Sequence, residues 1–181
     1  QKIQAPILPI FLNNLGFPSS FPRAVVFGPI ALGGLELVHG HTEQGLEHVR
    51  HLLHHLRTRT AVGQLLKIML SWAQRYAGYG VSILLNPHLP LQHVPSPWLR
   101  TTCAHLQRTH CAVQFDIGCI PRLQRLFDRS IMDETLSLPH RQRSAINRCR
   151  LFLQCETFAD LCTPSGQYFH PTIFRGQPTL P

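Results

Sequence analysis

The chain has 181 residues, 44% of them hydrophobic, and its 17 Lys and Arg outweigh 9 Asp and Glu to give a net charge of +8. That apolar content is enough for a buried core, which excludes disorder of the whole chain, and no apolar run approaches the roughly 18 residues of a membrane span. The six cysteines include no C-x-x-C pair, which favours a reduced, intracellular protein of the cytoplasm or nucleus over a disulfide-linked secreted one.

Residues 1–40 are interrupted by five prolines and five glycines. Such a density of helix breakers predicts short extended pieces rather than helices. We expect an extended connector that packs onto another part of a larger protein. The start at Gln1 and the proline-punctuated end also favour an excerpt of a longer polypeptide.

Two amphipathic helices are predicted next. Apolar residues between Leu46 and Leu56 recur at helical spacing and predict a helix over 43–57. A second helix is predicted over 61–77, with Gly78 as its stop. Apolar residues cover more than half of its circumference, so we expect it to be buried on two sides.

A proline-rich stretch separates these helices from a third, which Pro97 opens at its first position and which is predicted over 97–109. Apolar and polar residues then alternate over 111–117, which predicts a short strand. The two patterns place a helix-to-strand change near residue 110.

Two further helices are predicted. The first covers 121–136 and should face inward with Leu123, Ile131 and either Leu126 or Phe127. The second covers 140–154 and has an apolar stripe from Ala145 to Leu153. The fold class is therefore mainly α, with about five amphipathic helices, a short strand and an extended Pro/Gly-rich N-terminal segment. Its domain organisation is a connector over 1–40, a helical region over 41–162 and an extended tail over 163–181.

The sequence contains no recognisable catalytic motif. A polymerase or nuclease holds its metal ions with spaced carboxylates, whereas the only adjacent acidic pair, Asp133 and Glu134, points in diverging directions on a predicted helix. His51 and His55 are four residues apart, with His48 on the same stripe, and could share a zinc ion, but the glutamate of H-E-x-x-H is missing. We predict surface histidines, with no metal and no cofactor in this segment; a metal-dependent enzyme is the third alternative.

The positive charge sits mostly on arginine, with 15 Arg to 2 Lys, and the guanidinium group suits phosphate. Eight basic residues flank the predicted helices and are the candidate nucleic-acid-binding residues: Arg50, Arg57, Arg59, Lys67, Arg141, Arg143, Arg148 and Arg150. Arginine stems that cover the rim of a helix interface would produce the same pattern. The alternative function is therefore a stand-alone helical protein-interaction module with no nucleic-acid role.

Several blocks follow one another in an order that resembles a known family. They are AVVFGP at 24–29, TEQG at 42–45, HLPL at 88–91, PWLR at 97–100, IMD at 131–133 and INRCRLFLQ at 146–154. In this order they resemble the region after the polymerase core in reverse-transcriptase polyproteins of retrotransposons from protists such as diatoms. The similarity covers about residues 8–168 and departs at Glu36, where that family predicts a glycine.

The resemblance implies a thumb-like or connection-like region that grips template and primer by their backbones, as an RNA–DNA hybrid or another duplex. The family's catalytic aspartates and their Mg²⁺ ions would lie in an upstream polymerase domain of the same chain, outside these residues. The function expected is thus a non-catalytic, nucleic-acid-supporting segment of an RNA-directed DNA polymerase, without a membrane partner.

Overall fold

The computed structural model describes residues 4–171 and 173, and over these residues the protein is mainly helical, which confirms the predicted fold class. The helices described are α1 (Gln4–Asn14), α2 (Arg23–Val26), α3 (Gly40–Arg57), α4 (Ala61–Ala77), α5 (Pro97–Arg108) and α6 (His140–Leu153). Three short 3₁₀ turns cover Ile30–Leu32, Asp133–Thr135 and Phe158–Leu161. Within the described residues, every helix is too short or too polar to cross a membrane. Residues 172 and 174–181 of the predicted tail lie outside the described residues.

The described residues fall into two compact units that divide within α3, between Leu53 and His54. In the first unit, Leu8 and Leu12 of α1 are buried in one cluster with Val26 of α2. Partly buried apolar side chains pack against this cluster: Phe17, Phe21, Phe27, Leu35 and Leu37. The first unit therefore has a small core of its own.

The prediction of an extended N-terminal segment is wrong for α1, which is helical although it contains Pro9. A proline inside a helix removes one backbone hydrogen bond and costs about 3 kcal/mol. Leu8 and Leu12 lie one turn apart and are only 6% and 0% exposed. Burying each leucine contributes roughly 1.5–3 kcal/mol, so tertiary burial offsets the proline penalty.

The helices predicted over 43–57, 61–77 and 97–109 are confirmed as α3, α4 and α5. Local signals define their ends. The hydroxyl of Thr60 accepts a hydrogen bond from the Gly63 N–H at 3.1 Å, and Gly78 ends α4 with a φ of 72°. Pro97 is the first residue of α5, where its missing N–H has no cost.

The prediction that α4 is buried on two sides is wrong. One face lies in the core, with Leu70, Ala73 and Ala77 fully buried. A second face leaves a row of large apolar side chains exposed by 54%, 67%, 65% and 48%, here named the α4 apolar stripe: Val62, Leu65, Ile68 and Trp72. The breadth of an apolar pattern predicts burial only where a partner covers each side.

The buried side chain of Gln74 organises the chain that follows α4. Its amide nitrogen donates to the carbonyl oxygens of Tyr79 at 2.9 Å and Val81 at 3.1 Å. Its amide oxygen accepts from the Ile83 N–H at 3.0 Å. These bonds satisfy a buried polar group and direct Tyr79 and Ile83 into the core of the second unit.

The strand predicted over 111–117 is wrong, because these residues, all of them described, form no strand. The alternation does reflect one-sided burial, since Val113 and Ile117 are 7% and 2% exposed. One backbone hydrogen bond runs from Val113 to the Leu84 carbonyl oxygen at 3.0 Å. An extended segment without a ladder to a second strand is not a sheet element.

The helix predicted over 121–136 is also wrong, since this segment is a loop that ends in the 3₁₀ turn Asp133–Thr135. Of its predicted apolar face, Ile131 is buried at 9% exposed, whereas Leu123, Leu126 and Phe127 are 61%, 85% and 89% exposed. The Asp128 carboxylate instead accepts backbone N–H bonds within the loop, which is how Asp competes with helix formation.

Candidate nucleic-acid interface

Helix α6 buries a different face from the one that the sequence predicts. The predicted apolar stripe is largely outside, with Ala145 exposed and Phe152 64% exposed. The residues that α6 buries are Arg143, Asn147 and Arg150. Two of the eight candidate phosphate-binding residues therefore lie inside the second unit.

Arg150 is 3% exposed and caps the end of α4. Its guanidinium donates to the carbonyl oxygens of Arg75 and Tyr76, both at 2.9 Å, and to the Asn147 side-chain oxygen at 2.9 and 3.2 Å. Burial lowers the pKa of Arg150, partly opposed by the charge of Glu156. The carbonyls of a last helical turn need such donors, so this arginine connects α6 to α4.

Arg143 is 6% exposed and binds the chain that leads into α6. It donates to the carbonyl oxygens of Thr135 at 3.3 Å, Leu136 at 3.2 Å and Leu138 at 2.7 Å. The hydrogen bonds of Arg143 and Arg150 are thus made inside the protein. We correct the assignment of both residues from phosphate contacts to internal hydrogen bonding.

The solvent side of α6 carries four exposed residues at helical spacing, here named the α6 outer face: Arg141, Ala145, Arg148 and Phe152. In the described part of the chain, neither arginine has a carboxylate within ion-pair distance. The outer face therefore combines two available guanidinium groups with an exposed aromatic ring. Phosphate and bases are the groups that this combination fits.

The other four candidates are dispersed. Arg50, in the first unit, forms an ion pair with Glu47 one turn away. In the second unit, Arg57 and Arg59 are exposed and Lys67 is half-buried on α4. These four residues supply positive charge, but they are not grouped with one another as Arg141 and Arg148 are on the α6 outer face.

Three of the α3 histidines have neighbours within the same helix. His51 lies 3.9 Å from the Glu47 carboxylate, and His55 packs edge to face against His54, with ring centroids 5.2 Å apart. Among residues 4–171 and 173, no three His, Cys, Asp or Glu side chains are placed to share a metal ion.

A polar pocket of about 470 Å³ opens in the second unit and has no counterpart in the sequence prediction. Its lining includes two arginines and two acids: Arg75, Arg122, Glu156 and Asp160. The acids are already engaged, since Glu156 lies 3.5 Å from Arg75 and Asp160 accepts backbone N–H bonds. These residues are scattered along the chain, so no local pattern could have found them.

Comparison with known proteins adds no identification, because no protein-family model, curated protein or solved structure matches this chain.

Proposed function

We propose that the chain is an intracellular, non-catalytic segment of a reverse-transcriptase polyprotein that grips template and primer by the phosphate backbone. The observation that carries this proposal is the α6 outer face, on which Arg141, Arg148 and Phe152 are exposed together. In this proposal the Mg²⁺ ions and the polymerase chemistry belong to an upstream domain of the same chain.

The backbone at Glu36 is compatible with the resemblance to that family. Glu36 has a φ of 49°, which is in the left-handed region. Glycine enters this region without steric cost, whereas other residues are strained there. The glycine that the family predicts at this position would therefore fit the conformation that the chain adopts.

The spacing on α6 supports contact with a backbone rather than with particular bases. Arg141 and Arg148 are seven residues apart, which spans about 10.5 Å of helix. A duplex carries one charge for each 1.7 Å or so of its axis, so both guanidinium groups meet phosphates when the helix lies along the backbone. Such contacts position a protein without reading sequence.

The test is binding of the purified chain to an RNA–DNA hybrid and to unrelated DNA duplexes across a salt series. Each phosphate contact contributes about −0.9 to the slope of log affinity against log salt. Arg141→Ala combined with Arg148→Ala should therefore make the slope shallower by about 1.8 and weaken all duplexes similarly.

A matched control removes two exposed arginines elsewhere, Arg23 and Arg108, and changes the net charge equally. This control should change the slope by much less than the α6 variant does. The proposal fails if duplexes do not bind at low salt, or if the α6 variant binds as tightly as the control.

A second candidate function, a helical protein-interaction module, is favoured by the α4 apolar stripe. Exposed apolar patches on soluble proteins commonly mark interaction surfaces. Under this alternative, Leu65→Asp combined with Ile68→Asp abolishes concentration-dependent association in sedimentation experiments, while Gln64→Asp on the same helix does not. If the Leu65→Asp, Ile68→Asp variant loses association but still binds nucleic acid as the parent does, the two functions belong to different surfaces.

A further inference from the structure

The loop over 121–129 ends in an exposed apolar tip. Leu126 and Phe127 are 85% and 89% exposed, more than any other large apolar side chain described. We name this pair the Leu126–Phe127 tip. Two neighbouring apolar side chains that point into water are costly unless something covers them in use.

The tip stands on a well-connected base. The Asp128 carboxylate accepts from the backbone N–H groups of Gln124 and Arg129, both at 2.9 Å, and from Ala159 at 3.0 Å. The Asp128 N–H donates to the Arg125 carbonyl oxygen at 3.1 Å. These bonds join the loop to the 3₁₀ turn Phe158–Leu161 and fix the backbone on both sides of the tip.

A second anchor is Arg125, whose guanidinium donates to the Thr163 carbonyl oxygen at 2.6 Å. Between the anchors, Phe127 has a φ of 66°, a conformation that bulky residues rarely adopt. Backbone strain of this kind persists only where the surroundings impose it, and it clusters at ligand-binding positions. The loop thus holds the backbone at Phe127 in one conformation, from which the ring extends into solvent.

The charge around the tip suits a polyanion. Arg122, Arg125 and Arg129 lie within a few residues of the ring, whereas the one acid of the loop, Asp128, is buried and engaged. Arg129 pairs with Glu134 at 2.7 Å, and Arg122 is exposed at the edge of the polar pocket. An exposed aromatic ring and an exposed, available arginine in the same loop, five residues apart, are the two groups that stack on bases and hold the adjoining phosphates.

We propose that Phe127 stacks on an unpaired or terminal base of a nucleic-acid strand while Arg122 contacts a neighbouring phosphate. This inference rests on the proposed function and adds single-stranded or frayed nucleic acid to its ligands. An anionic membrane is the less favoured partner, because one Leu and one Phe bury fewer carbon atoms than a single myristoyl chain, which alone binds membranes only marginally.

The test compares a single-stranded oligonucleotide with a blunt duplex, using the full chain. Phe127→Ala should weaken single-strand binding by about 5- to 150-fold, the range measured for loss of one stacked base. The loss should be equal at every salt concentration, because stacking releases no counterions. Arg122→Ala should instead make the single-strand slope shallower by about 0.7. Phe127→Trp should retain binding.

Two control variants separate the loss of this ring from backbone strain and from the loss of any exposed aromatic side chain. Phe127→Gly removes the ring while relieving the left-handed φ, so it should lose affinity as Phe127→Ala does although its backbone is unstrained. Phe169→Ala removes another exposed ring, 62% exposed, and should leave binding unchanged.

The outcomes separate this inference from the proposed function. If Phe127→Ala binds the single strand as the parent does, while the α6 variant still weakens duplex binding, the stacking role is wrong and the proposed function stands. If no nucleic acid binds, both fail. Binding to phosphatidylserine vesicles that needs Phe127, without single-strand binding, would replace the nucleic acid with a membrane.

Discussion

Arg150→Ala is the substitution that most directly tests the assignment of a buried arginine to a structural role. It removes the donors that serve the carbonyl oxygens of Arg75 and Tyr76 at the end of α4 and the Asn147 side-chain oxygen. Arg150 is 3% exposed, so water replaces these donors only partly. The substitution should therefore lower the free energy of unfolding.

The size of this loss follows from the hydrogen bonds. A bond from a charged donor contributes about 1.5–3 kcal/mol, and Arg150 makes two to carbonyls of α4. Burying the guanidinium costs free energy, as its lowered pKa indicates, and the alanine variant recovers that cost. We expect a net loss of about 2–4 kcal/mol.

Gly78 provides an internal check. A Cβ on Gly78 would lie 2.5 Å from the Arg150 guanidinium carbon, and its φ is 72°. Gly78→Ala should thus lower the free energy of unfolding by about 1–2 kcal/mol through the strained backbone. It should also displace the Arg150 guanidinium from its hydrogen bonds. In the Arg150→Ala background only the backbone cost remains, so the double variant should be less destabilised than the sum by about 1 kcal/mol or more.

The assay is urea unfolding at neutral pH, with Arg148→Ala on the solvent side of α6 as the matched control. An exposed substitution of this kind changes stability by about 0.5 kcal/mol or less. A structural role for Arg150 is refuted if Arg150→Ala is no more destabilising than Arg148→Ala, or if the effects of Gly78→Ala and Arg150→Ala are simply additive.

Three further outcomes are expected. Burial lowers the pKa of His93 below 6.5, although the Ala77 carbonyl oxygen 3.5 Å away acts in the opposite direction. The free energy of unfolding should therefore fall as the pH drops below about 6.5. His93→Leu should reduce that pH dependence, measured by urea unfolding at several pH values. Burial raises the pKa of Asp128, but its hydrogen bonds lower that pKa by more, so that the net shift is downward. Asp128→Asn should therefore lower the free energy of unfolding by about 1–3 kcal/mol at pH 7, and the difference from the parent should shrink towards pH 3. Dialysed protein should hold far less than one zinc per chain, and stoichiometric zinc lost on His51→Ala with His55→Ala would contradict this.

The sequence by itself determined the central helices, because their signals are local. An apolar period of 3.6 residues, the Thr60 N-cap, the Gly78 stop and Pro97 at a first position all act within a few residues. These determinants need no distant partner, so α4 and α5 lie where the pattern places them. The same pattern could not tell which apolar face of α4 would be covered.

Tertiary structure alone decided the loop over 121–129. Its leucines and Phe127 have helical spacing, yet the Asp128 carboxylate accepts from Ala159, 31 residues away. A side chain that bonds backbone groups of its own loop and of a distant turn stabilises an alternative to the helix. The exposed tip was therefore missed by the apolar pattern, which treated it as core.

Tertiary structure likewise decided which side of α6 is buried. Apolar spacing predicts that Ala145 to Leu153 face the core, whereas Arg150 does so because its partners lie 75 residues earlier, at the end of α4. Burying a guanidinium is unfavourable unless its donors are matched, and only the folded chain brings matching carbonyls to it. Because Arg150 faces the core, Arg141 and Arg148 lie on the solvent side of α6, where the proposed interface lies.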